Sequence, residues 1–273
     1  MSKINYFANK EELKKRANQW TNYMETKYKV DIDNSVQNTI IYPLGFELDN
    51  INPRFKWTDF VFLKMDSVSA IFEVSNTNDK VAVLNFASYK NPGGKFMEGS
   101  SAQEESLCHE SFLYNVLRRF DKEYYLPNKK DVNDSLYRDN LLYSKFILFF
   151  KSTLITPCDV ITCAAPNKTA AVKYHGISED AVNEHMMSRL NHVLQAAYDQ
   201  KVDTLILGAY GCGVFGNNPK DVANMMYILL NSTYKNCFKK VIFAIPEFSK
   251  KDKTFTIFKE VFNKYDNIER NIV

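Results

Sequence analysis

Residues 91–111, NPGGKFMEGSSAQEESLCHES, place Gln103, Glu104 and Glu105 behind a glycine-containing loop and ahead of a helix-forming run. Two neighbouring carboxyls in a confined site resist ionising together, so one of them keeps its proton to higher pH. The protonated group can give that proton to a leaving oxygen, while its ionised neighbour accepts hydrogen bonds from hydroxyls. Cleavage of a glycosidic bond needs this division, because its oxocarbenium-like transition state leaves an alkoxide to be protonated. A plain helix start accounts for the same residues, since Glu in a first turn complements the macrodipole. The pair alone does not separate these readings.

A second loop, GAYGCGVFGNNP at 208–219, holds Gly208, Gly211, Gly213 and Gly216, four of the nine glycines in the chain. Successive backbone N–H groups in such a loop can converge on an anion, and the following helix adds its positive end. Phosphate or diphosphate is the natural guest. Close packing alone would also call for glycine here, and the spacing matches neither the dinucleotide fingerprint nor the P-loop. Cys212 reads as a small residue filling space beneath this loop rather than as a reactive thiol. His175 lies in NKTAAVKYHGIS, which reads as a polar surface loop. Cys108 and His109 are adjacent on a helix, where neighbours diverge by about 100°, and do not read as a dyad.

The elements that position these loops alternate. Residues 9–29 form an amphipathic helix with Leu13, Ala17, Trp20 and Met24 on one face. Strands are expected at 69–74 (SAIFEV), 81–87, 145–150, 159–165, 203–209 and 240–245. Helices are expected at 105–120, at 178–200 behind Ser178, at 219–230 behind Asn218 and Pro219, and at 254–263. DTLILGA is apolar throughout, as a strand buried on both faces should be. Strands alternating with helices imply a mostly parallel sheet covered on both sides. Ligands in such sheets bind beyond the carboxyl ends of the strands, which is where both loops fall. Residues 1–60 read as an accessory segment packed on a main domain at 61–273.

Composition fits one large domain: 273 residues, 45% hydrophobic and 25% charged. A net charge of +3 without a basic run gives no electrostatic footprint for nucleic acid. The 16 Tyr and 20 Phe accompany abundant Lys, Asn and Ile, a set that AT-rich coding produces without a base-stacking surface. Five scattered cysteines show no zinc spacing, the N-terminus lacks a signal-peptide core, and no apolar stretch has membrane length. The expectation is a cytoplasmic, reduced protein with no membrane partner, no structural metal and no cofactor.

Taken together, P-G-G-x followed after seven residues by Q-E-E-S-L (92–107) and G-A-Y-G-C-G-V-F-G-N (208–217) resemble the microbial poly(ADP-ribose) glycohydrolase-like family of macrodomains. NFAS (85–88) and CAAPN (163–167) extend the resemblance from about residue 80 to the last strand. It implies a three-layer α/β/α macrodomain with a mixed, mostly parallel sheet and a cleft for ADP-ribose. It further implies a glycosidase acting without metal on poly(ADP-ribose), ADP-ribosylated protein or ADP-ribosylated nucleic acid, and a monomer. In that reading Glu105 is the general acid and Glu104 holds ribose hydroxyls. Asn85 and Ser88 lie near the adenosine end or the ribose, with Gly93, Gly94, Lys95 and Gln103 beside them. Gly211, Cys212, Gly213, Val214, Gly216 and Asn217 wrap the diphosphate, and Phe215 packs on the distal ribose. Where the family carries a third glycine this chain has Lys95, a handicap if that position needs positive φ and an added cation otherwise. The intact Gln103-Glu104-Glu105 favours an enzyme. Lys95 favours the alternative of a non-catalytic ADP-ribose reader, and a hydrolase of small derivatives such as O-acetyl-ADP-ribose is a third option.

Overall fold

The computed structural model describes residues 9–249 and 251–270; Met1–Phe7 and Ala8, which carry part of the N-terminal reading, lie outside them. The chain opens with helices α1 (Lys10–Lys27) and α2 (Lys29–Gln37), and Asn9 caps α1 by accepting from the Glu12 N–H. Strands β1 (Ile40–Tyr42) and β2 (Asp59–Leu63) follow, then helix α3 (Ser67–Glu73) and strand β3 (Val81–Phe86). Short helices α4 (Gln103–His109), α5 (Leu113–Leu117) and α6 (Leu126–Lys130) lead to the hairpin of β4 (Leu141–Lys151) and β5 (Leu154–Cys163). The remainder alternates: α7 (Lys168–His175), α8 (Glu179–Asp199), β6 (Thr204–Leu207), α9 (Pro219–Asn231), β7 (Lys240–Ala244) and α10 (Thr254–Arg270).

These strands form one sheet in the order β1-β4-β5-β3-β6-β7-β2. Pairings from β5 through β3, β6 and β7 to β2 are parallel, and β4 runs against both its neighbours. Alternation along the central strands divides the core into two layers. Ala82, Leu84, Leu205, Leu207, Val241 and Phe243 face α8, α9 and α10. Val83, Ile206, Ile242 and Val160 face the layer of α1, α3, α4 and α5. The fold is therefore the expected α/β/α sandwich with a mixed, mostly parallel sheet.

Three expectations need correction. SAIFEV is helix α3, not a strand: Asp66 accepts from the Ser69 N–H and hydroxyl at 2.9 and 2.8 Å, and Val68, Ile71 and Val74 share a helical spacing. The helix expected at 105–120 breaks after His109. There Ser111 makes a bridge to Phe149, the Glu110 carbonyl accepts from Phe150 at 2.7 Å, and the Ser111 carbonyl accepts the Trp20 indole at 2.8 Å. NKTAAVKYHGIS is not a loop but holds α7, capped by Asn167 and closed by Gly176 at φ 67°. Before residue 60, β1 pairs with β4 and α1 packs directly on the 96–99 turn.

Candidate active site

Strand β3 ends beneath the first loop, and α4 returns its first turn against that end. Gln103 makes this join: its Oε1 accepts from the Phe86 N–H at 2.8 Å, and its Nε2 donates to the Leu84 carbonyl and the Ser67 hydroxyl. Its amide is thus spent on the protein rather than on a ligand. Glu104, 3% exposed, accepts from the Ser88 N–H at 2.7 Å and from Asn85 Nδ2 at 3.2 Å. Asn85 is itself fully buried and also reaches Thr162, and among the described residues its Oδ1 has no partner. Asn85 and Ser88 therefore stand beside Glu104.

Glu105 has a different setting. One oxygen accepts from the Lys95 N–H at 2.8 Å, and among the described residues the other has no protein donor. Gly94 lies against both carboxyls: a Cβ there would stand 2.5 Å from Glu105 Oε1 and 2.9 Å from Glu104 Oε2, at φ 60°. Gly93, at φ 66°, is pressed on Tyr114 and Cys108. Lys95 has φ −108° and an exposed side chain. Its backbone is ordinary for any residue, which removes the handicap that positive φ would have imposed.

Burial pushes the Glu104 carboxyl up to about 8, and the neighbouring charge of Glu105 adds to the rise; donation from Ser88, Asn85 and Gly93 opposes it. The raised carboxyl is thus that of Glu104, the member of the pair expected from the resemblance to hold ribose hydroxyls.

Opposite lies the second loop. Its turns close by Asn217 N–H to the Gly211 carbonyl at 3.1 Å and Gly216 N–H to the Gly213 carbonyl at 3.0 Å. Asn217, buried, donates its amide to the Pro166 and Gly211 carbonyls. The N–H groups of Gly213, Val214 and Phe215 have no acceptor among the described residues. They leave three consecutive donors available ahead of α9. Gly211 and Gly216 sit at φ 72° and 71°, and Gly216 touches the Thr169 hydroxyl. Val214 is 90% exposed, whereas Phe215 is half-buried beside Tyr137.

The family model described as microbial-type PARG, catalytic domain, matches residues 10–152, more than half of the chain. The chain belongs to that family.

Among solved structures, the poly(ADP-ribose) glycohydrolase of Thermomonospora curvata is 26% identical, with TM-score 0.80, covering 92% of this chain and 100% of its own. The same enzyme bound to the inhibitor ADP-HPD matches equally well, with 99% of its chain covered. The Deinococcus radiodurans enzyme in complex with ADP-ribose is 29% identical, with TM-score 0.79, covering 85% of this chain and 97% of its own. No curated protein matches the chain.

Two residues that support this site were not singled out in the sequence. Ser67 and Thr162 support Gln103 and Asn85 from elements far away in the chain. Phe248 is 87% exposed just past the carboxyl end of β7, beside the Lys64–Glu247 ion pair at 2.9 Å. His175 lies away from the glutamates, near Asp134 and Ser135. Cys108 is buried behind Gly93, and burial raises the Cys212 thiol to about 12, so neither is a ready nucleophile. Among the described residues no cluster of His, Cys, Asp or Glu is placed to hold a metal ion, and no helix is long and apolar enough to cross a membrane.

Proposed function

We propose that the protein releases ADP-ribose from poly(ADP-ribose) by hydrolysing the O-glycosidic bond at the anomeric carbon of the distal ribose, with Glu105 as general acid. The observation that carries this assignment is the unpartnered Glu105 oxygen, held in place through its other oxygen by the Lys95 N–H. A proton passes from Glu105 to the leaving ribose oxygen as the anomeric C–O bond breaks. Water then adds its hydroxyl to that carbon, and its second proton returns to Glu105. Glu104, fixed by Ser88 and Asn85, accepts hydrogen bonds from ribose hydroxyls. The free N–H groups of Gly213, Val214 and Phe215 receive the diphosphate, the Phe215 ring backs the distal ribose, and Phe248 offers a stacking face for adenine. Five free cysteines support a reducing, cytoplasmic setting.

Incubation with poly(ADP-ribose), and separately with singly ADP-ribosylated protein, tests the proposal by quantifying released ADP-ribose. Release by the wild type and its loss in Glu105→Gln is the expected result. ADP-ribose binding without release from either substrate would leave a reader module instead.

A further inference from the structure

The geometry points to Tyr137 as a positioning residue that holds the Phe215 ring, and so sets the gap between the distal ribose and the two glutamates. This rests on the reading of Phe215 given above. The Tyr137 ring stands edge-on to Phe215 with centroids 6.1 Å apart, and lies flat on Tyr89 at 4.3 Å and 13°. Tyr89 directly follows Ser88, whose N–H binds Glu104. The three rings therefore form a wall that joins the glycine-rich loop to the exit of β3. Tyr89, Tyr137 and Ala164 are buried together, with Phe215 packed on them.

The backbone around Tyr137 is built for this placement. Asn133, Asp134, Ser135 and Tyr137 all have positive φ, between 43° and 69°. For a bulky residue such as tyrosine that region is an outlier, which surrounding contacts must enforce. They do. The Asn133 amide donates to the Tyr137 carbonyl at 3.2 Å, the Asn167 N–H to Ser135 at 2.9 Å, and the Arg138 N–H to the Tyr89 hydroxyl at 3.2 Å. Fully buried Arg189 ties the segment down, donating to Asp139 at 2.6 Å, to the Leu136 carbonyl at 3.3 Å and to the Ala164 carbonyl at the end of β5. No group in this wall supplies a proton or an anion site; its contribution is location.

Substitution of Tyr137 tests the inference, with turnover of poly(ADP-ribose) and ADP-ribose affinity read separately. Misplacement by about 1 Å costs on the order of 100-fold in rate, so Tyr137→Leu should lose about 10- to 100-fold in kcat while Kd for ADP-ribose changes by about two-fold or less. Tyr137→Phe keeps the ring and should restore most of the turnover. In a Phe215→Leu background, Tyr137→Leu should cost nothing further, since the ring it positions is gone. If Tyr137→Leu fails to fold by circular dichroism, Tyr89→Leu removes the underlying stack and carries the same cycle. Additive losses, or parallel losses in kcat and affinity, overturn the positioning role while leaving the reaction intact. A wild type that releases no ADP-ribose from poly(ADP-ribose) overturns the reaction, and this role with it.

Discussion

Glu104 and Glu105 are neighbours in sequence but differ in how their oxygens are occupied. Both oxygens of Glu104 accept from the protein, and Glu105 keeps one oxygen open. Glu105→Gln preserves shape and one hydrogen bond but cannot deliver a proton. General acid catalysis is worth about 10²–10⁴-fold, so release of ADP-ribose should fall by about that factor with little change in calorimetric affinity. The raised Glu104 carboxyl sets the pH dependence. Its proton is held up to about 8 and lost above that. The same shift has a stability sign. The folded protein binds this proton more tightly than the unfolded chain, so the stabilisation is complete below the unfolded carboxyl's pKa and is lost as pH rises through about 8. Thermal melts across that range should show stability falling with pH, and Glu104→Gln should flatten the slope.

Among the elements, α1 stands closest to the catalytic loop without contributing a reacting group. Gly99, at φ 80°, lies so near the start of α1 that a Cβ would come within 2.1 Å of the Lys10 carbonyl oxygen and 3.0 Å of the Lys14 nitrogen. Trp20 on the same helix reaches Ser111 just past α4, and Glu25 binds Asn115, Arg118 and Arg119. Helix α1 is thus a brace along the whole segment that carries the glutamates. Gly99→Ala must push α1 and the 96–99 turn apart, because both the backbone contact and the positive φ oppose it. Overpacking of this kind costs about 1–3 kcal/mol. Urea unfolding should register that loss, and turnover should fall by about 10-fold or more as Gly94 and Lys95 shift against the carboxyls.

In the whole molecule the two loops meet only because β3 and β6 are adjacent and parallel, so that both open at the same edge of the sheet. Phe96 and Met97 of the first loop pack into one core layer, and Tyr210, Cys212 and Phe215 of the second into the other. A ligand bridging both loops binds the native state alone. At a concentration about 100 times Kd it contributes about 2.7 kcal/mol, which corresponds to a rise of several degrees in Tm for a domain of this length. Free ADP-ribose should produce that shift. Absence of any thermal or calorimetric response would remove the cleft's assignment as an ADP-ribose site.

Local chemistry made much of this legible from the chain. Apolar runs marked β3, β6 and β7, Ser178 and Asn218 marked helix starts, and two glycine-bearing loops flanked the carboxylates. Such signals span a few residues, and the forces behind them (strand burial, capping, tolerance of positive φ) act over the same distance. Asn167 and Gly176 carried an equally local signature of α7, overlooked because the segment is polar. Other features had no local signature. Helix α4 stops where β4 and Trp20, the latter 91 residues away, take over the backbone groups of Glu110 and Ser111. Gln103 became a scaffold residue because Leu84 and Ser67 stand within reach of its amide. Which glutamate keeps an open oxygen, and which is pushed up by burial, depends on the donors and solvent around each. Those neighbours come from separate elements brought together by packing, and only the tertiary structure decides them.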